Sequence, residues 1–285
     1  MPAIFAHYIF GVEAMRRFDD SIMRIIKSHQ KLYFVGLQGP DFYFFDQLLY
    51  VRGKRYAAIG SRLHHEPCAR LLGALEGDGG RRPDSESLAY LLGLIGHFSL
   101  DSTCHPLIDR WVEELPYNHH RMETEFDRYL MAGCGISEPR CFPLGSLIAA
   151  DRRERLKVGH MYESANLGRA EDVAEMTADF GRIKNLLQTP EDGRYRFYQN
   201  VLRMVGAQEA LGGIFMGPKD ALSDITNPCL AVLFEQAKQR YVMLAENYMS
   251  HVFNGAPLDE YFLRNFETEP EVSHENRRTD SCPVD

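Results

Sequence analysis

Residues 87–105 read SLAYLLGLIGHFSLDSTCH, an apolar run interrupted by three polar side chains four residues apart: His97, Asp101 and His105. On an α-helix such intervals place side chains one turn above another. The three drift by only ~80° around an axis of about 3.6 residues per turn. Leu94 and Phe98 lie close to the same face, so the polar row runs along the edge of an apolar one. This is the geometry of a ligand-bearing face that points inward. Ser85 or Ser87 is expected to cap the helix, and Pro106 to end or bend it, because the residue before proline disfavours helical torsions.

The interval recurs downstream. In YNHHRMETEFD (117–127), His119 and Glu123 are again four apart, on a helix expected from about Asn118 to Met131 and closed by Gly133. His120 has the weaker claim, since it meets Thr124 four residues on. A histidine nitrogen and a carboxylate oxygen one turn apart can share an ion at about 2.0–2.2 Å, the range zinc favours. Upstream, the remaining donors are His7, Asp41 in the turn set by Gly39-Pro40, and His64 or His65. Eight of the eleven histidines fall within the first 120 residues.

Helical periodicity dominates elsewhere. Val12, Met15, Phe18, Ile22 and Ile25 form one apolar stripe, and Pro67 is expected to break the helix carrying His64 and His65. Residues 134–166 are less regular. Further helices are expected in RAEDVAEMTADFGRIKNLL, YRFYQNVLRMVGAQEAL and PCLAVLFEQAKQRYVMLAENYMSHVF, the last capped by Asn227 with Pro228 at its first position. Strand-like alternation is absent. The expected architecture is all-α, one multi-helix domain over 1–265, with a polar, disordered tail at 266–285.

Composition bounds the function. A net charge of −8 over 285 residues opposes nonspecific nucleic-acid binding, which draws on a basic surface. No apolar run approaches the ~18 residues of a membrane span. The N-terminus lacks a signal-peptide pattern. Six cysteines without a CxxC pair read as reduced thiols, so a cytoplasmic protein is expected. There is no HExxH of a zincin and no adjacent His-Asp pair of an HD-type phosphohydrolase. The only ExxH, Glu271 to His274, lies in the expected tail.

In the order His7, Gly39-Pro40-Asp41, His64, His97-x3-Asp101, His105, His119-x3-Glu123, the chain resembles the bacterial zinc-dependent phospholipase C family, whose superfamily includes the zinc single-strand nucleases. The motifs span roughly the first 130 residues. The resemblance implies an all-α fold with zinc ions (Zn2+), two or three per chain, in a cleft between helices. It implies that Asp41, His64, His97 and Asp101 hold one ion, that His105, His119 and Glu123 hold another, and that His7 and Asp101 help hold the third, with Asp101 as bridge.

The activity implied is that of a phosphodiesterase, a hydrolase in which a zinc-held hydroxide attacks a small-molecule or lipid-derived phosphoester. Asp41 and Asp101 would serve the chemistry as well as the metal. The alternative is a catalytically silent zinc-binding sensor or scaffold of the same fold. The chain departs from the family at several points. Its only tryptophan is Trp111, whereas the secreted members ligate the third zinc through an N-terminal tryptophan; a Pro2 amine is the available substitute. The Asp101–His105 interval is shorter, the Asp41–His64 interval longer, and no C-terminal lipid-binding β-domain is expected.

Overall fold

A computed structural model describes residues 4–49, 55–77 and 82–267, and these form one all-α domain without a strand. Its helices are α1 (Ile4–Ala14), α2 (Asp20–Ser28), α3 (Gln30–Gly36), α4 (Phe42–Leu49), α5 (Arg55–His65), α6 (Cys68–Glu76) and α7 (Ser85–Glu114). They continue with α8 (His119–Gly133), α9 (Arg152–Ser164), α10 (Ala170–Leu186), α11 (Asp192–Met204), α12 (Gln208–Leu211) and α13 (Ser223–Asn254). Short 3-10 turns link several of them.

The axis of the domain is α7. Every residue from Ser87 to Ser102 is buried, as expected of a helix that is apolar on all sides. Packing α3 against α7 depends on Gly36 and Gly93. A Cβ on Gly36 would fall 2.1 Å from the Tyr90 carbonyl oxygen, and one on Gly93 would fall 2.2 Å from that of Tyr33. With no side chain at either position the two backbones meet directly. On another side of α7, Tyr241 of α13 donates to the Leu92 carbonyl at 2.8 Å, and Phe10 of α1 stacks on the Tyr241 ring. α1, which carries His7, and α3, which leads into the turn of Asp41, are thus held against one central helix.

Several local expectations are corrected. Asp84, rather than either serine, caps α7, accepting the Ser87 N–H at 2.9 Å. Pro106 does not end α7, which runs on to Glu114. An interior proline costs ~3 kcal/mol or more. Burying Ile108 and Trp111 beyond it offsets that, at ~1.5–3 kcal/mol for each large apolar side chain. Likewise α13 begins at Ser223 and passes through Pro228, while the amide of Asn227 turns to the Glu125 carbonyl. The stripe from Val12 to Ile25 is split between α1 and α2, because Asp19 accepts the N–H groups of Ser21 and Ile22 and starts a new helix. Part of the irregular stretch 134–166 is helical as α9, started by a capping box between Asp151 and Glu154.

Two further corrections bear on the ends and the thiols. Phe266 is fully buried and Glu267 is fixed beside His105, so the first two residues of the expected tail belong to the domain. The rest of that tail, 268–285, lies outside the described residues. Cys68, Cys104, Cys134 and Cys141 carry free thiols, but Cys229 is disulfide-bonded, against the expectation of reduced thiols throughout. No helix among the described residues is long and apolar enough to cross a membrane.

Candidate metal centre

The row read from the sequence survives on α7, where His97 Nε2 lies 3.1 Å from Asp101 Oδ2 and His105 Nε2 lies 3.8 Å from Asp101 Oδ1. From α8, Glu123 brings Oε1 to 3.7 Å from His105 Nε2 and 3.2 Å from His119 Nε2. The turn after α3 delivers Asp41 and the end of α5 delivers His64, with Asp41 Oδ1 3.0 Å from His64 Nε2 and 3.7 Å from His97 Nε2. His7, on α1, reaches Asp101 Oδ1 at 3.2 Å. All eight expected ligands therefore converge. They fall into three groups able to hold a metal ion: Asp41–His64–His97, His7–His97–Asp101 and His105–His119–Glu123. Asp101 lies between His7, His97 and His105, while the residue shared by the first two groups is His97. Seven of the eight are buried and His119 is half-buried.

Gly39 is required here for two reasons. Its φ is +53°, in the left-handed region that glycine adopts without penalty, and a Cβ on it would strike the His97 ring at 2.1 Å. The turn can present Asp41 to His97 only because position 39 has no side chain.

The choice between the two adjacent histidines is decided by burial. His64 is fully buried and faces Asp41, whereas His65 is exposed and bonds the Ser61 carbonyl. Its neighbour's tautomer follows from one contact: His64 Nδ1 lies 2.8 Å from the Gly60 carbonyl oxygen, which can only accept, so Nδ1 carries the hydrogen. Nε2 then faces the Asp41 carboxylate, and in a neutral ring of this tautomer it would present its lone pair. Lone pair against carboxylate at 3.0 Å is repulsive unless a cation or a proton lies between them.

The other group repeats this design with carboxylates in the outer position. His105 Nδ1 lies 3.1 Å from Glu267, and His119 Nδ1 lies 3.3 Å from Asp109 Oδ1. Such outer partners fix ring orientation and raise ligand basicity in metal sites. In the metal-free protein protons respond to the same field. Burial pushes the His119 imidazole down, but Glu123 and Asp109 outweigh it and lift its pKa to about 9. Burial likewise opposes the charge on Glu123, yet His119 and His105 hold its carboxyl well below the usual range. At His97 burial prevails over Asp101 and Asp41 and lowers the pKa to about 3.

Whether the set suits a metal can be judged from its unmet bonds. Among the described residues, His97 Nδ1 and Nε2, Asp101 Oδ2, His105 Nε2 and Glu123 Oε2 are buried without a hydrogen bond. An unsatisfied buried polar group costs about 1–3 kcal/mol, and more when charged. Imidazole nitrogens and carboxylate oxygens gathered this densely with unmet bonds fit divalent cations. The substitute ligand at Pro2 lies outside the described residues.

Three contributors escaped the sequence reading. Asp109 is four residues beyond His105 and Asp127 four beyond Glu123, so extending each row by one turn would have found both. The Asp127 carboxylate, buried, accepts the N–H groups of Ala6 at 2.8 Å and Phe5 at 3.3 Å, tying down the first turn of α1 that carries His7. Glu267 gave no local signal. Beside the ligands lies a small cleft of about 30 Å³, room for about one water. His7, Asp101, His105 and Glu123 line it together with Leu100, Ile108, Phe126 and Leu230.

Comparisons with known protein families, with characterised proteins and with solved structures return no match.

Proposed function

We propose that this protein is a zinc-dependent phosphoesterase of the phospholipase C type, hydrolysing a phosphodiester that carries an apolar arm. The observation that carries the reading is His64, whose Nε2 faces the Asp41 carboxylate at 3.0 Å while Nδ1 is committed to the Gly60 carbonyl. Nitrogen and oxygen donors without sulfur, buried and close together, are the donor set of a hydrolytic zinc site.

Bound there, zinc would lower the pKa of a water and draw charge from the phosphoryl oxygens. The chain's own residues prepare for this. Three ions would bring six positive charges against the three carboxylates of Asp41, Asp101 and Glu123, a surplus suited to an anionic phosphoryl group. Asp41 and Asp101 hold oxygens inside the ligand cluster, where either can accept a proton from water. On this reading the polar part of the cleft lining, His7, Asp101, His105 and Glu123, would receive the phosphoryl group once metal is bound. The apolar part, Leu100, Ile108, Phe126 and Leu230, would face the ester's carbon substituent.

The test is elemental analysis of the purified, untagged chain followed by hydrolysis of a generic phosphodiester. Two or three zinc ions per chain, with turnover lost on chelation, are expected. His97→Ala and Asp101→Ala should each release metal and reduce turnover by at least ~10²-fold. Unchanged metal content and rate in both variants would end the proposal. Stoichiometric zinc without turnover on any phosphoester would instead favour the silent zinc-binding alternative.

A further inference from the structure

Among the described residues, five of the eleven exposed large apolar side chains lie on or beside α11. Leu186, Phe197, Val201, Met204 and Val205 are each between 40% and 86% exposed, and four of them belong to α11 or the residue just after it. Along α11, Phe197, Val201, Met204 and Val205 sit at positions i, i+4, i+7 and i+8, a single stripe. The opposite face, of Tyr195, Tyr198, Gln199 and Leu202, attaches the helix to the domain. Gln199 donates to the Gly212 carbonyl at 2.8 Å, and the Tyr198 ring stacks on Phe215 at 4.9 Å. The stripe is therefore the face turned away from the protein, and α11 buries no residue.

The acidic residues beside the stripe, Glu191 and Asp192, lie at the start of α11, and Asp192 is held by Arg140 at 2.6 Å. Residues 193–206, GRYRFYQNVLRMVG, contain three arginines and no acidic residue, in a chain whose net charge is −8. Arg194 bonds the Tyr198 hydroxyl and the Leu186 carbonyl, and Arg203 bonds Gln208 and Asn200, all neutral groups. Arg196 is exposed and makes no ion pair among the described residues. About 100° per residue around the helix, Arg196 and Arg203 share one flank of the apolar stripe.

We propose that α11 is a membrane-surface helix: it lays Phe197, Val201, Met204 and Val205 into the boundary of an anionic lipid bilayer, with Arg196 and Arg203 on the headgroups. Low overall hydrophobicity, a strongly segregated apolar face and a basic flank are the features of helices that lie in that interface rather than cross it. The charge pattern selects this occupant over a second copy of the chain. In a pair of copies joined through the stripe, the nearest carboxylates to Arg196 and Arg203 would be Glu191 and Asp192 at the helix start, and Asp192 is already held by Arg140 within its own chain. Lipid phosphates supply the opposing charge. The helix is also braced toward the metal centre. Gln199 holds Gly212, and the next residue, Gly213, accepts from Thr124, the neighbour of Glu123. Lipid docking does not depend on hydrolysis, and its readout is the same with or without metal.

The test is co-sedimentation of the full chain with vesicles of phosphatidylcholine alone and of phosphatidylcholine mixed with phosphatidylglycerol. Binding is expected on the mixed vesicles, weakened by salt and much weaker on phosphatidylcholine. Each arginine near an anionic surface contributes about fivefold, so Arg196→Gln with Arg203→Gln should weaken binding about 30-fold. Phe197→Ser with Met204→Ser should remove it, with far-UV circular dichroism unchanged because both side chains are exposed. No binding by the parent chain, or equal binding by all three proteins, overturns the proposal. So does a concentration-dependent dimer in sedimentation velocity that Phe197→Ser with Met204→Ser dissolves while vesicles remain unbound. Should the serine variant unfold, the arginine variant decides alone.

Discussion

The carboxylate of Glu267 lies 3.1 Å from Nδ1 of His105, although 162 positions separate the two residues in the sequence. The backbone leading to it is pinned on the way, since the Cys68 N–H donates to the Arg264 carbonyl and the Phe266 N–H donates to that of His64. Phe266 then packs its ring 5.3 Å from His64 and 5.7 Å from His97. The segment 264–267 is thus a strap over the back of the ligand cluster.

Removing the outer carboxylate should loosen the ion it helps orient. Glu267→Ala is expected to lower zinc affinity by ~10–100-fold. Glu267→Gln, which keeps an acceptor oxygen, should lose less. Competition titration against a chelator measures both, and equal affinity in parent and Ala variant would show that Glu267 does not orient His105. A chain ended at residue 265 should add the loss of Phe266, which as a buried Phe→Ala change alone costs ~3–5 kcal/mol.

Gly39→Ala should harm stability and metal binding together. The positive φ and the collision with the His97 ring both oppose a Cβ, and strain of this kind costs ~1–3 kcal/mol. Denaturant titration of metal-free protein gives the stability loss, and zinc stoichiometry shows whether the Asp41–His64–His97 group fails first. A fully stable variant with normal zinc content would contradict this account of the turn.

Asp127→Ala leaves the Phe5 and Ala6 N–H groups of α1 without their acceptor. The expected loss is ~1–3 kcal/mol, with the group containing His7 affected most. Asp127→Asn retains an acceptor oxygen and should be milder. Zinc counting on both variants checks the order: the His105–His119–Glu123 group should fill normally while the His7 group empties.

The metal-free protein should have a stability optimum in pH. Burial lowers the His97 pKa to about 3, against ~6.5 when unfolded, so the unfolded chain takes up the proton first as pH falls. Its contribution is complete above ~6.5 and is lost as pH falls toward 3. For His119, burial acts downward, but Glu123 and Asp109 raise the pKa to about 9. That contribution is complete below ~6.5 and is lost as pH rises through 9. Thermal midpoints across this range in excess chelator test both arms. His97→Gln should flatten the acid arm alone; an unchanged acid slope would contradict the assignment.

The sequence by itself determined the helical character of the chain and the rows His97–Asp101–His105 and His119–Glu123. A four-residue interval maps onto one helix face whatever the helix packs against. It also set the turn at Gly39-Pro40, because backbone torsion there is a local property. Tertiary structure decided the rest. Pro106 and Pro228 read as helix boundaries because local torsional preference disfavours them, yet burial of side chains on both flanks carries α7 and α13 through. His64 and His65 are equivalent as neighbours in sequence, and only the packing of α5 buries one and exposes the other. The meeting of His7, Asp41, Glu123 and Glu267 on one central helix has no local signal at all. Each comes from a different part of the chain, and their convergence is set by how close α1, α3, α8 and the 264–267 strap can approach α7 and its neighbours.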